Sequence, residues 1–212
     1  LICNIVHRFT THLRLVAVSK PIAASTLRII GGFWRGRKVS FTPIDQLRPT
    51  PDRVRETLFN WLQGQVAGKC VLELFAGSGI LSFEALSRGA KQATLIDRSP
   101  KTVDQLRRSR DQLGLTEAEC LVQQEDAFTK ITTPATDPFD LIFLDPPFQT
   151  DRYLELIALL KANNYLKAQS LIYVESPTAE NLEAIGSGHL PMIKHKKAGQ
   201  VHFGLFGHAN GF

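Results

Sequence analysis

The feature that most constrains the fold is a short apolar run that passes through a glycine turn directly into a helical pattern. Residues 70–74 form the run, and the turn at 75–79 reads Phe-Ala-Gly-Ser-Gly. Apolar side chains then recur at helical spacing over residues 80–86, and Gly89 stands where the helix would end. This order predicts a nucleotide-binding βα unit, because glycine lets the backbone approach a ligand.

Two further strand ends carry acids. The run at 93–96 ends in Asp97, eighteen residues after Gly79, and a third short run at 121–123 is followed by Asp126. The glycine turn alone is a weak signal, because dehydrogenases share it. An acid at the end of the second strand can accept hydrogen bonds from both hydroxyls of an adenosine ribose. The glycine turn together with Asp97 therefore predicts an adenosine-containing ligand.

A fourth strand end carries the tetrapeptide Asp145-Pro146-Pro147-Phe148, after the apolar run at 139–144. Ligands of open α/β sheets bind at that end of the strands. The prolines fix their own φ angles and lack N–H groups, which makes a stiff loop with unpaired carbonyls. An acid and a carbonyl beside a planar ring suit the exocyclic amine of a nucleobase.

Positive charge is concentrated at the front of the chain. Residues 1–44 hold seven Lys or Arg and no acid, which gives a charge of +7. The rest of the chain has a net charge of −2, so the whole chain has a net charge of +5. This asymmetry indicates a polyanionic partner. Charge alone would favour a solubilising arm, but the glycines at 31, 32 and 36 lie between apolar pairs and predict a hairpin that could present arginines and an aromatic ring to RNA.

The chain of 212 residues fits one α/β domain with a small appendage. No apolar run approaches the length of a membrane span. Three cysteines lie far apart without metal-ligand spacing, and the six histidines show no metal pattern. These features predict a reduced, cytosolic protein without a metal.

The order of these motifs is that of S-adenosylmethionine methyltransferases. From about Arg28 to Phe206 the chain resembles the bacterial 16S ribosomal RNA guanine-N2 methyltransferases of the RsmD type. The arginine-rich front half narrows the match to this family. The matching stretches are 28–32, 34–37, 48–50, 52–61, 75–79, 84–88, 145–148 and 173–175.

The resemblance implies a Rossmann-like class I methyltransferase fold of the α/β class. We expect a mostly parallel seven-stranded sheet with a C-terminal antiparallel hairpin, plus a small N-terminal β-hairpin. The expected divisions are an extension at 1–27, an RNA-facing basic hairpin at 28–48 and a methyltransferase domain at 49–212. Residues 1–27 lie outside the resemblance; a transit peptide would look similar, but we favour a poorly ordered extension without function.

The activity implied by the resemblance is methyl transfer from S-adenosyl-L-methionine to the N2 amine of a guanine in 16S ribosomal RNA, usually guanine 966 in this family. The product would be N2-methylguanosine. We expect a cytoplasmic monomer that meets the RNA within an assembled or assembling small ribosomal subunit, with no membrane contact.

Catalytic roles are implied for Asp145, Pro146 and Phe148. Asp145 and the Pro146 carbonyl would accept the two amine hydrogens, Asp145 would receive the proton that is lost, and Phe148 would stack on the flipped base. The alternative for Asp145 is a loop carboxylate that caps the helix beginning near Asp151.

Cofactor roles are also implied. Glu73 and the backbone of the glycine turn would hold the methionine part, Asp97 the ribose, and Asp126 the adenine amine. Asp97 could instead cap the next helix, and Asp126 could be a solvated loop acid with Glu125 as its rival. Glu73 departs from the aspartate of some relatives. The expected cofactor-binding residues are Glu73, Phe75, Ala76, Gly77, Gly79, Asp97, Asp126 and Ala127.

The expected RNA-binding residues are Arg28, Arg35, Arg37, Lys38, Arg48 and Arg53. Arginines three to four apart on one helix are more often a solvated face than a site. For Arg48, Thr50, Arg53 and Arg55, a surface role and a site role therefore stay open, as does the choice between RNA and cofactor.

Turn and cap signals predict the remaining elements. Thr50-Pro51 would open a helix to about Gln63 with the threonine hydroxyl as its cap, and Ser99-Pro100 would open another that ends near Gly114. A third helix is predicted at 151–162, a strand at 170–174, and a closing hairpin at 192–197 and 201–206.

Three other functions compete. An adenine-N6 methyltransferase also uses Asp-Pro-Pro-aromatic, but would be expected to carry a larger target-recognition domain. A nicotinamide dehydrogenase is disfavoured because Ser82 replaces the third small glycine. A non-catalytic RNA-binding module would need the basic front but not Asp97 and Asp145 together.

Overall fold

The computed structural model describes residues 25–41, 50–147, 152–188 and 190–207. The elements within these ranges are β1 (Ser25–Arg28), β2 (Lys38–Phe41), α1 (Asp52–Trp61), β3 (Cys70–Glu73), α2 (Ile80–Ser87), β4 (Gln92–Asp97), α3 (Pro100–Leu113), β5 (Cys120–Gln124), α4 (Ala127–Thr132), β6 (Phe139–Leu144), α5 (Tyr153–Ala162), β7 (Leu166–Ser176), α6 (Ala179–Gly188), β8 (Met192–Ala198) and β9 (Val201–Phe206).

Seven of the described strands form one sheet in the order β5-β4-β3-β6-β7-β9-β8. The first five strands in this order are parallel, and β9 runs antiparallel between β7 and β8. The predicted fold class is therefore confirmed, including the closing hairpin, whose turn places Gly199 at a φ of 62°. All four acids predicted from strand ends belong to neighbouring parallel strands.

The sheet is buried on both faces, as its apolar strands require. Along β6 the side chains of Leu141 and Phe143 join one core cluster, whereas Ile142 and Leu144 join the cluster on the opposite face. Helices α1 to α3 supply the first cluster, and helices α4 to α6 supply the second. Because alternate side chains pack on opposite faces, helices cover both faces of the sheet, and a ligand site is expected at the ends of the strands.

One of the two predicted helix caps is correct. Ser99 accepts a hydrogen bond from Thr102 N–H at 3.3 Å, and the helix ends at Gly114 in the left-handed conformation. The predicted Thr50 cap is wrong, because α1 begins at Asp52 and the capping residue Pro51 has no side chain that can accept. The Thr50 hydroxyl donates instead to Glu175 at 2.7 Å.

Two predicted boundaries shift. Strand β7 extends beyond the predicted 170–174 at both ends, because it pairs with β6 on one side and β9 on the other. The third helix begins at Tyr153, while residues 148–151 lie outside the described residues.

The N-terminal hairpin is present as β1 paired antiparallel with β2. Its first strand begins at Ser25 and so includes three residues that the sequence assigned to the extension; residues 1–24 lie outside the described residues. The turn docks tightly on the end of α2: Phe33 N–H donates to the Ser87 carbonyl at 2.7 Å, and Ser87 Oγ donates to the Gly31 carbonyl at 2.6 Å.

No helix within the described ranges is both long and apolar enough to cross a membrane.

The docking of the hairpin yields a stability prediction. Gly32 has a φ of 76°, and a Cβ atom there would stand 1.9 Å from the Ser87 carbonyl oxygen. We expect Gly32→Ala to lower the free energy of unfolding by about 3 kcal/mol or more, because the backbone contact must separate. Gly36→Ala is the matched control: its φ is 88° but no atom lies within 4 Å, so only the conformational penalty of about 1 kcal/mol applies. Urea unfolding of both variants measures the difference, and equal losses would contradict a tight docking.

Candidate active site

The carboxyl ends of four neighbouring parallel strands bring acidic side chains to one edge of the sheet. Glu73 ends β3, Asp97 ends β4, Asp126 follows β5, and Asp145 follows β6. The sequence predicted all four positions, and the topology places them along one edge. This is the edge where open α/β sheets bind their ligands.

The glycine turn is fastened to β4. Gly77 N–H donates to Asp97 Oδ2 at 3.0 Å, and Ala76 N–H donates to the Ile96 carbonyl at 2.9 Å. Gly79 has a φ of 68°, and a Cβ there would clash with Leu95 and two other apolar side chains. Glycine is therefore required at position 79 for both backbone conformation and packing.

Glu73 is buried and accepts a hydrogen bond from Ser82 N–H at 3.0 Å. Burial raises the pKa of Glu73 to about 8, an effect that the hydrogen bonding from Ser82 only partly offsets. The carboxylates of Glu175 and Asp97 add to the increase. Without a ligand, this carboxyl group therefore stays protonated to a higher pH than an ordinary glutamate, and a positively charged ligand would favour its ionised form.

Asp97 does not cap helix α3, because Ser99 does so. Asp97 Oδ1 accepts instead from Ser99 N–H at 2.8 Å, while Oδ2 holds the glycine turn. Burial raises the pKa of Asp97, and the two backbone hydrogen bonds lower it. Each oxygen keeps capacity for a further donor, so the side chain is oriented by the backbone and can still receive hydroxyl groups.

Asp126 is an exposed helix cap as well as a site candidate. Its Oδ1 accepts from Thr129 N–H at 3.1 Å and so caps α4, a role that the sequence reasoning did not weigh. Its rival Glu125 forms an ion pair with Lys130 at 3.5 Å. Ala127 is buried next to the cap. A ligand amine would use the second oxygen of Asp126.

Asp145 and the buried Pro146 lie at the end of β6, whereas Phe148 lies outside the described residues. The pKa of Asp145 is raised well above its ordinary value, first by burial of the carboxyl group and then by the carboxylates of Glu175 and Glu73. Such perturbed acids are typical of functional sites. The cap suggested as an alternative for Asp145 is not seen, because the residue at the cap position of α5 is Arg152.

Glu175 is the residue that sequence reasoning missed. It lies at the end of β7, is 3% exposed, and accepts from Thr50 Oγ1 at 2.7 Å and from Tyr173 Oη at 3.0 Å. Burial raises its pKa, and these two hydrogen bonds lower it. The signal was available, because Glu175 follows an apolar run as the other strand-end acids do.

The arginines of the front half separate into different environments. Arg55 is fully buried: it pairs with Glu84 and with Asp52, each at 2.5 Å, and donates to the Arg28 carbonyl at 2.9 Å. A surface or ligand-binding role for Arg55 is therefore wrong. Arg53 is exposed, and Arg48 lies outside the described residues.

The basic hairpin residues Arg28, Arg35, Arg37 and Lys38 are all exposed, and Phe33 is 89% exposed. The turn rests on Ser87, the last residue of α2, and Arg37 Nη1 donates to the Leu113 carbonyl at 3.4 Å, at the end of α3. Both helices run from the site edge back across the sheet. The hairpin turn thus lies about one helix length, roughly 12 Å for eight residues, away from the site edge.

Within the described residues, no cluster of His, Cys, Asp and Glu could hold a metal ion.

Comparisons with known proteins identify the family. The family model described as conserved hypothetical protein 95 matches residues 27–207. Ribosomal RNA small subunit methyltransferase D of Haemophilus influenzae is 39% identical over 190 residues, which cover 89% of this chain and 97% of the relative. The protein of the same name from Escherichia coli K12 is 41% identical over 180 residues, 85% of this chain and 89% of the relative. This chain belongs to the methyltransferase D family.

Solved structures agree with this assignment to the methyltransferase D family. A structure from Escherichia coli, described as a methyltransferase, has a TM-score of 0.73 at 40% identity and covers 86% of this chain and 97% of its own. A methylase structure from Haemophilus influenzae has a TM-score of 0.69 at 37% identity, covering 86% and 98%. A structure described as a methyltransferase complexed with SAH, at 17% identity and a TM-score of 0.68, shares the fold.

The buried acid Glu73 yields a pH prediction for the ligand-free protein. Its folded pKa of about 8 exceeds the ordinary value of 4.5, so the folded state binds the proton more tightly, and stability falls as the pH rises between these values. Glu73→Gln removes this loss. We expect the variant to gain stability over the parent protein between pH 4.5 and 8, by about 2 kcal/mol or more at the upper end.

Thermal melts of the two proteins across this range test that expectation. Glu119→Gln is a matched control, because hydrogen bonds from Thr116 lower the pKa of that exposed acid and no gain at high pH is expected. A Glu73→Gln protein whose advantage does not grow with pH would show that Glu73 is not a destabilising buried acid.

Proposed function

We propose that this protein transfers a methyl group from S-adenosyl-L-methionine to the N2 amine of a guanine in 16S ribosomal RNA, giving N2-methylguanosine; the expected target is the nucleotide usual in the family, guanine 966. The observation that carries the proposal is the half-buried Asp145 at the end of β6, with its raised pKa, beside strand ends suited to an adenosine cofactor. The names of the close relatives support the ribosomal RNA substrate.

The proposed cofactor site runs along the ends of β3, β4 and β5. Glu73 and the backbone of residues 75–79 would hold the methionine part of the cofactor, since its ammonium and sulfonium charges would stabilise the ionised form of Glu73. Asp97 would accept the ribose hydroxyls, and the second oxygen of Asp126 would accept the adenine amine, with the Ala127 N–H beside it. The proposed contacts are Glu73, Phe75, Ala76, Gly77, Gly79, Asp97, Asp126 and Ala127.

The reaction needs orientation and electrostatics. Guanine N2 is a weak nucleophile, because its lone pair is delocalised into the ring. Asp145 and the Pro146 carbonyl would accept its two hydrogens and favour a tetrahedral nitrogen. The nitrogen then forms a bond to the methyl carbon, the carbon–sulfur bond breaks with its electron pair left on sulfur, and the proton passes to Asp145. Phe148 would stack on the base.

The basic hairpin would hold RNA at a second place. Arg28, Arg35, Arg37 and Lys38 are exposed without an acid in residues 25–41, and the exposed ring of Phe33 can stack on a base. Because the hairpin turn lies a helix length from the site edge, the substrate must be large enough to reach both. A folded ribosomal RNA in the small subunit meets this requirement.

In this proposal residues 25–48, with Arg48, face RNA together with Arg53 on α1. Residues 49–212 form the methyltransferase domain, and residues 1–24 are an extension. The protein would act as a monomer in the bacterial cytoplasm, where ribosomal subunits are assembled. Transfer of labelled methyl groups to subunits from cells that lack this protein, followed by nucleoside analysis, tests the whole proposal. N6-methyladenosine as the product would overturn it in favour of the adenine alternative.

Replacing Asp145 should lower the rate of methyl transfer, whereas replacing Asp97 should lower the affinity for the cofactor. Asp145→Asn should slow methyl transfer about a hundredfold or more, because it removes the proton acceptor, while cofactor affinity stays near that of the parent protein. Asp97→Ala should weaken cofactor binding tenfold or more, because it removes hydrogen bonds to a charged acceptor worth about 1.5–3 kcal/mol each. Calorimetric cofactor titration beside turnover measurements separates the two, and each variant is the control for the other. A fully active Asp145→Asn protein would remove Asp145 from the mechanism.

The hairpin arginines should set the salt dependence of RNA binding. Replacing Arg35 and Arg37 together by Ala should flatten the log–log slope of affinity against salt by about one to two units and leave cofactor affinity unchanged. The matched control replaces the exposed Lys196 and Lys197 of strand β8, at the far edge of the sheet. If the control flattens the slope and the hairpin variant does not, the RNA surface lies on the other edge.

A further inference from the structure

Glu175 lies next to Asp145 at the carboxyl ends of two neighbouring strands. Strands β6 and β7 are parallel, and Leu144 pairs with Val174 in their register. The next residue on each strand is an acid, and neighbouring strands lie about 4.8 Å apart. The two carboxyl groups therefore occupy the same end of adjacent strands, with Glu175 the more buried of the two residues.

No cation balances this cluster among the described residues. Between described residues, no ion pair involves Glu73, Asp145 or Glu175, whereas the other buried glutamate, Glu84, pairs with two arginines. Burying a carboxylate without a cation is costly, so its retention calls for a reason. The neutral donors Thr50 and Tyr173 are the hydrogen-bond partners of Glu175.

In the part of the chain that the structure describes, the other ionisable groups that interact with Asp145 and Glu175 are acids or phenols. Glu73 is contributed by β3 and Tyr153 by α5, and burial raises the pKa of Tyr153 to about 12, so that this phenol stays neutral. Asp97, further along the edge, acts on Glu73. On the β9 side, Glu175 pairs in register with the uncharged Phe203. The charge beside Asp145 is therefore set by Glu175 and Glu73.

We propose that Glu175 is a positioning residue that makes Asp145 a stronger proton acceptor in methyl transfer, through its negative charge on the adjacent strand. Thr50 and Tyr173 both donate to Glu175 Oε1, and these hydrogen bonds favour the ionised form of Glu175. A proton taken up by the pair is thereby directed to Asp145. Glu175 itself does not touch the substrate.

The inference rests on the proposed function, in which Asp145 takes the N2 proton as the nitrogen–methyl bond forms and the carbon–sulfur bond breaks. A like charge next to a carboxylate raises its proton affinity, and a more basic acceptor lowers the barrier for proton removal. The same effect has a consequence at low pH. Because Asp145 must be ionised to act, activity is lost as the pH falls through its raised pKa.

The test is the pH profile of single-turnover methyl transfer on the small-subunit substrate. Glu175→Gln keeps the size of the side chain and an oxygen that can accept from both hydroxyl groups, but removes the charge. We expect the acidic limb of the profile to move to lower pH by about one unit, and the plateau rate to fall about tenfold. Cofactor affinity and melting temperature should stay close to those of the parent protein.

Two further variants and a control complete the design. Tyr173→Phe and Thr50→Val each remove one donor, which favours protonation of Glu175, so the acidic limb should move in the same direction by a smaller amount. Glu180→Gln removes the same charge from an exposed position at the start of α6 and should leave the profile unchanged.

An acidic limb that stays in place in a folded Glu175→Gln protein would overturn the proposal, even if the rate fell, because a structural role changes the rate without moving the limb. If Glu175→Gln does not fold, unmoved limbs in both Tyr173→Phe and Thr50→Val would overturn it. Failure of the parent protein to methylate the subunit would instead refute the proposed function. The two failures are therefore distinguishable.

Discussion

The buried guanidinium of Arg55 joins parts of the chain that are far apart in sequence. It is fully buried and donates to the Arg28 carbonyl of the hairpin, to the Thr50 carbonyl before α1, and to the Glu84 carboxylate of α2. A guanidinium in this position would be strongly destabilising without these partners. The planar guanidinium instead donates hydrogen bonds to oxygen atoms in three segments at once, and a lysine ammonium could not match that geometry.

The same network connects the hairpin with the site edge. Glu84 also accepts from Ile30 N–H at 2.6 Å and pairs with Arg88, whose guanidinium lies 4.2 Å from the centre of the Phe59 ring. Thr50, which Arg55 holds by its carbonyl, donates its hydroxyl to Glu175 beside Asp145. A continuous series of polar contacts therefore runs from the hairpin to Glu175, on the strand next to the candidate catalytic acid. The hairpin is held against the body of the molecule, and RNA bound there, as the proposed function requires, would meet a site at a set distance and orientation.

Much of this could be predicted from the sequence, because the deciding signals are local. The strand-end acids Asp97 and Asp145 stand out since apolar runs precede them, and Ser99-Pro100 marks a helix start through chemistry confined to four residues. Long-range partners are different. Thr50 has a good capping pattern, but a carboxylate 125 residues away takes its hydroxyl, and only the packed sheet brings that carboxylate near. For Arg55 the sequence left a surface role and a site role open, because helical spacing says nothing about Glu84 on another helix.

The site edge holds three carboxyl groups, of which Glu73 and Glu175 are buried and Asp145 is half-buried. Glu73, Asp145 and Glu175 lack a cation partner among the described residues, and Glu73 is the one that the proposed function places against a ligand with positive charge. In the proposed function the cofactor brings a sulfonium and an ammonium group, and both would stabilise the ionised form of Glu73 in a low-dielectric site. In this proposal, methyl transfer would remove the sulfonium charge, and Asp145 would take a proton in the same reaction. The site therefore loses one positive charge from the ligand and one negative charge from the protein, so the local balance is preserved while the spent cofactor loses part of the attraction that held it. The arrangement favours binding of the charged donor over retention of its neutral product.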